Sequence, residues 1–155
     1  MTLDEVVHAI HAAFPVRPRP PAREITIEGD SYFERAAMRR GLKGRSWKTV
    51  SHDFIHHERS LIWLAPAGFG YYLPAWMCVA CRDPEVRDSV LFALENYPRW
   101  IEDGIADERI DRLGRPQLAA IVSFLAYWAT HADRIDAESP RAARAYWQSR
   151  LGAAS

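Results

Sequence analysis

Three histidines and two acids crowd into one heptapeptide, His52-Asp53-Phe54-Ile55-His56-His57-Glu58. His52 and His56 stand four apart, the spacing at which two imidazoles leave one face of a helix and can reach one metal ion. The HExxH zinc signature is absent, because His57-Glu58 is followed by Leu61 where the second histidine belongs. Further on, Cys78 and Cys81 form a lone CxxC. His52, His56, Cys78 and Cys81 together have the ligand chemistry of a four-coordinate zinc site. Each half also has a plainer account. The histidine segment reads as the polar face of a helix beside buried Phe54 and Ile55. The two cysteines lie in an apolar run and read as small core residues, since thioredoxin-type chemistry needs the motif at a helix start that follows a strand. The plainer account is the expectation: no metal, no cofactor and no catalytic residue.

Two other constellations are weighed in the same way. Gly68-Phe69-Gly70 begins like a dinucleotide fingerprint, but Leu73 occupies the third glycine position and no βαβ pattern surrounds it. Arg39, Arg40, Lys43, Arg45 and Lys48, with Trp47 among them, have the chemistry to grip phosphate and stack a base. Bases also gather at helix C-termini because they oppose the helix dipole, so a solvated cap is the expectation and nucleic acid is not the expected partner. Nucleophile elbow, P-loop and EF-hand motifs are missing, and Asp107-Glu108 lies in a run that reads as solvated.

The elements that must position these residues follow from periodicity and punctuation. Leu3, Val6, Val7, Ile10, Ala13 and Phe14 share one face of a helix that opens on a Thr2/Glu5 capping box and stops at Pro15. Residues 15–23 hold four prolines in nine and predict an extended strap between that helix and the body. Ile25 and Ile27 alternate with polar residues, predicting a short strand ending at Gly29. Ser31 and Glu34 form a second capping pair, before a helix that Gly41 is expected to close. Residues 51–64 read as a helix that becomes strand-like or irregular at Leu61–Leu64. In the segment 66–82, Pro66 suits a first helical turn, whereas Pro74 predicts a kink or a fresh helix start, with the Gly70 carbonyl freed. Asp83-Pro84 caps and opens the next helix, with Val86, Val90, Ala93, Leu94 and Tyr97 on one face. A short helix over 106–113 ends at Gly114. The broadest apolar face belongs to 116–136, which predicts the central helix, packed by those beginning near 3, 84 and 140.

The 155 residues suit one domain, 1–155, and the class is mainly α: a single compact helical domain with at most a short strand pair. No run approaches the ~18 apolar residues of a spanning helix, so no membrane is expected. The N-terminus carries acids where a secretory leader would carry Lys or Arg, and two cysteines are no disulfide framework, so a cytoplasmic setting is expected. The 20 bases and 20 acids balance but are not evenly spread. Residues 17–48 hold nine bases and four acids, while 83–111 hold three bases and nine acids. Such polarity either pairs the two halves across the fold or steers an oppositely charged partner.

Phe69, Tyr71, Tyr72, Leu73, Pro74 and Ala75, followed by Gln117, Ala120, Phe124 and Leu125, resemble a family of small uncharacterised bacterial proteins that share a Tyr-Tyr-Leu-Pro-Ala-type motif. The resemblance spans roughly residues 47–130, leaves the first helix and the strap outside, and implies no activity. The functional expectation is therefore a non-catalytic, protein-binding domain of a bacterial cytoplasm, of inhibitor or immunity type. Its binding candidates are Phe69, Tyr71, Tyr72, Trp76, Arg39, Arg40, Lys43 and Trp47. The alternative is a metal-dependent hydrolase using His52, Asp53, His56 and His57. A deep polar pocket at these residues would favour the enzyme, and a broad exposed patch the binder.

Overall fold

The computed structural model describes residues 1–27, 33–96, 105–131 and 138–154. These form helices α1 (Leu3–Ala13), α2 (Phe33–Leu42), α3 (His52–His57), α4 (Pro66–Ala80), α5 (Pro84–Asn96), α6 (Ile105–Asp111), α7 (Arg115–His131) and α8 (Glu138–Ala153). Single 3-10 turns lie at Ala22–Glu24, Trp47–Thr49 and Leu61–Trp63. The mainly helical class holds. The predicted strand at 25–27 is reduced to one antiparallel bridge, Thr26 to Leu64. Ile27 N–H donates to the Trp63 carbonyl (2.9 Å) and Ala65 N–H to the Ile25 carbonyl (3.0 Å). The expected end of that strand at Gly29 and the Ser31 cap lie outside the described residues.

The first helix forms as its sequence dictates. Thr2 Oγ1 accepts from the Glu5 N–H (3.2 Å) and the Glu5 carboxylate accepts from the Thr2 N–H (2.6 Å), satisfying two N-terminal donors reciprocally. Beyond it, the strap is fastened by a means suited to proline. A proline has no N–H to give, so this stretch offers mainly carbonyls, and side-chain donors from the body take them. Tyr71 Oη donates to Val16 O (2.7 Å) and Trp47 Nε1 to Pro15 O (3.2 Å). Gln117 Nε2 donates to Ala13 O just before them (3.1 Å).

Two glycines differ from their predicted roles. Gly41 does not close α2, which runs on to Leu42; a Cβ there would lie 1.9 Å from the Phe54 ring, so the glycine admits α3. The left-handed residue after the helix is Gly44, at φ 73°.

The centre of the fold is α4, not the helix over 116–136. Its residues include no charge and ten of fifteen are buried, among them Phe69, Tyr72, Leu73, Pro74, Trp76 and Met77. A helix apolar on every side must be wrapped, and α1, α3, α5 and α6 all pack on it. The α7 helix buries one broad face, against α8 and α1, and leaves Thr130 and His131 in solvent. The part of the prediction at 132–136 falls outside the described residues. Pro74 does not start a fresh helix: α4 is one element from Pro66 to Ala80, with Pro74 buried inside it. Burial of the surrounding apolar side chains outweighs the missing hydrogen bond to Gly70.

Three acids of the stretch 83–111 find partners elsewhere than in the basic stretch. Asp83, Glu85 and Asp111 meet His52, His56, Arg59 and Arg150, all from outside the basic stretch 17–48. Arg109, within the stretch read as solvated, is fully buried. It donates from Nε to Leu64 O and from Nη2 to Ile62 O, both at 2.8 Å, and so ties α6 to the turn before α4.

Candidate functional site

The histidine segment does form a helix, α3, capped by Ser51 Oγ accepting from the Phe54 N–H (3.2 Å). On so short a helix His52 and His56 share a face, and that face meets the start of α5. There Asp83 is the N-cap residue. Its Oδ1 accepts from the N–H groups of Glu85 (3.0 Å) and Val86 (3.3 Å), which turns Oδ2 toward the two imidazoles. His52 Nε2 and His56 Nδ1 each lie 2.7 Å from that one oxygen. These two imidazole contacts hold the Asp83 carboxyl well below the usual carboxylate range. On its far side His56 Nε2 is 3.7 Å from a Glu85 carboxylate oxygen, which also pairs with Arg59. Asp83 is almost buried, whereas the side chains of His52 and His56 are 57% and 40% exposed, so the cluster opens to solvent.

The other predicted ligands are elsewhere. Among the described residues, His52, His56 and Asp83 are the group whose ligand atoms lie within 4.8 Å of one another, and neither cysteine belongs to it. Cys78 and Cys81 are free thiols on or next to the end of α4. Burial pushes them up to about 11 and about 12, so neither is an activated nucleophile. Asp53 is exposed, and His57 Nδ1 meets the Asp53 carbonyl one turn back (2.9 Å) rather than the cluster.

The aromatic motif points inward. Phe69, Tyr72 and Trp76 are at most 1% exposed and Tyr71 is 8% exposed, so as binding candidates these residues present almost no surface. Tyr72 Oη lies 2.8 Å from the carbonyls of both Leu42 and Arg45, pinning the α2–α3 connection onto α4. Trp47 is likewise buried, with His11 5.1 Å from its ring and Lys48 Nζ 5.4 Å away, and cannot serve as a stacking platform. Of the basic candidates, Arg40 and Lys43 are exposed at the end of α2, Arg40 lying 6.0 Å over the Phe33 ring, while Arg39 is half-buried.

The surface feature that sequence reasoning missed is a cleft of about 410 Å³ between the 58–62 connection and α5. Leu61, Ile62, Phe92 and Ala93 supply apolar walls, with Arg59, Ser60, Asp88 and Ser89 as polar lining. Phe92 is 56% exposed. Its signal in the sequence was its place on α5, off the face of Val86, Val90, Ala93 and Leu94. Two further cavities, of about 430 and 390 Å³, flank the strap. None of the three is lined by His52, Asp53 or His56.

Comparison with curated proteins finds no match, and comparison with solved structures finds none. A family match does exist, and it runs from residue 2 to residue 151. It therefore takes in α1 and the proline-rich strap, which the resemblance over 47–130 leaves outside. With nearly its whole length matched, the chain belongs to a family of unknown function (DUF6714).

Proposed function

We propose that the chain is a non-catalytic, protein-binding domain of inhibitor or immunity type, acting in a bacterial cytoplasm. The observation that carries this reading is the cleft beside Phe92. It pairs an exposed aromatic and an apolar floor with a polar rim, the composition of a pocket that accepts one anchoring side chain from a partner. Its rim carries one base, Arg59, and one acid, Asp88, so the fitting partner is a protein that presents an apolar anchor ringed by polar groups of complementary charge. Two free thiols, Cys81 buried and Cys78 half-buried, agree with a reducing compartment. The hydrolase alternative calls for a polar cavity at the histidines, and the three cavities are lined by other residues.

The test is capture of a stoichiometric partner from the native host, followed by measurement of the purified pair. Phe92→Glu and Asp88→Lys are each expected to weaken the complex at least about tenfold, as loss of an anchor contact does. Recovery of no stoichiometric partner, or a complex indifferent to both substitutions, defeats the proposal.

A further inference from the structure

We infer that His52, His56 and Asp83 bind one divalent transition-metal cation, with zinc the ion their chemistry suits. This site is independent of the cleft and of any partner bound there. Two imidazole nitrogens and one carboxylate oxygen are the donors that zinc and its neighbours in the first transition row accept, whereas magnesium and calcium take oxygen donors almost alone. The convergence is already built. His52 Nε2 and His56 Nδ1 come from successive turns of one helix and aim at the same carboxylate oxygen from 2.7 Å.

The adjustment that a metal requires is small. Donors about 2.0–2.1 Å from a tetrahedral ion stand about 3.3 Å apart, so each imidazole must withdraw from Asp83 Oδ2 by roughly 0.6 Å. His52, more than half exposed, is free to turn by that amount. Asp83 need not move. Its Oδ1 stays on the two backbone N–H groups at the start of α5 while Oδ2 takes the ion.

A carboxylate able to serve as an outer layer stands close by. A metal-bound histidine commonly gives its second ring N–H to a carboxylate, which fixes the tautomer and strengthens the donor. Glu85 stands 3.7 Å from His56 Nε2 on the side away from Asp83, and Arg59 holds Glu85 there. Three protein donors at a solvent-open surface leave the fourth position to water. That is the coordination of an accessible ion rather than of a closed structural knot.

The experiment uses the untagged full chain, stripped with chelator and titrated with cobalt(II) and then zinc(II). Binding is followed by visible d–d absorption and by calorimetry. One equivalent of cobalt is expected to bind and to be displaced by zinc. His52→Ala and His56→Ala should each weaken binding at least about tenfold, while His57→Ala and Asp53→Ala leave it unchanged. Asp83→Asn keeps an acceptor for the α5 cap while removing the anionic donor, so its loss of affinity is read on a folded chain. Two results would overturn the site. One is failure to bind at about millimolar metal; the other is stoichiometric binding that survives both histidine substitutions. Reduced thermal stability of His52→Ala without metal binding would assign the trio to hydrogen bonding alone.

Discussion

Replacing Gly68 by alanine adds one methyl group where another segment's backbone already lies. A Cβ at residue 68 would sit 2.0 Å from the Ile25 carbonyl oxygen and 2.8 Å from its carbon. Neither atom belongs to a flexible side chain, so segment 25–27 must lift away from α4 by more than an ångström. Lifting it strains the hydrogen bond from Ala65 N–H to that same carbonyl. A lost buried bond costs about 1–3 kcal/mol, and forced overpacking adds about 1–3 kcal/mol. Alanine's better helix propensity returns about 1 kcal/mol. The net destabilisation is about 3 kcal/mol, which for a chain of this size lowers the melting temperature by roughly 6–12 °C. Gly70→Ala is the internal control. It carries the same propensity gain, but the nearest atom to its Cβ is the Arg112 Cβ at 3.6 Å, an ordinary contact. It should melt at or slightly above the wild-type temperature. Thermal and urea denaturation followed by far-UV circular dichroism compare the two directly. Melting temperatures within about 2 °C of each other would refute the close-approach argument.

Tyr72→Phe removes the hydroxyl that pins the carbonyls of Leu42 and Arg45 to α4. Urea midpoints should report a loss of about 1–2 kcal/mol with an unchanged slope, and no loss would mean that the α2–α3 connection is held by packing alone. The thiols of Cys78 and Cys81 should react with an aromatic disulfide reagent at pH 8 far more slowly in the native protein than after unfolding. Equal rates would contradict their burial. Unfolded thiols ionise near 9, whereas the folded ones hold their protons to about 11 and about 12. Their contribution to stability is therefore complete below pH 9 and is lost as pH climbs from there toward 12. A double Cys78→Ala, Cys81→Ala variant should show a shallower decline over that window, and identical slopes would count against the argument.

Much of the helical framework was legible because its signals are local. The Thr2/Glu5 capping box, the stop at Pro15 and the Asp83-Pro84 start all lie within one helical turn of the boundary they set. Misreadings arose where a distant segment decided the outcome. Gly41 looks like a helix stop until the Phe54 ring is seen against it, and Pro74 looks like a fresh helix start until α4 is seen to run on through it as a buried element. The aromatic cluster at 69–76 carried no label distinguishing a recognition surface from a core. Only the elements packed around it settle that these side chains face inward.

The candidate metal site divides along the same line. The four-residue spacing of His52 and His56 by itself determined that the two imidazoles share a face, because helix geometry depends only on neighbours in the chain. The third donor did not follow from spacing. Asp83 lies 27 residues beyond His56, and the sequence marks it only as a helix cap. Which cap meets that face depends on how α3 and α5 pack, and burial of their apolar sides sets that packing without reference to the polar groups it brings together. Cys78 and Cys81, nearer in sequence and richer in ligand chemistry, were turned toward the core by the same burial. Hydrophobic packing is non-directional, so the chain's pattern determines that its helices must close on one another, and only the closed structure decides that an aspartate, not a thiol, faces the histidines.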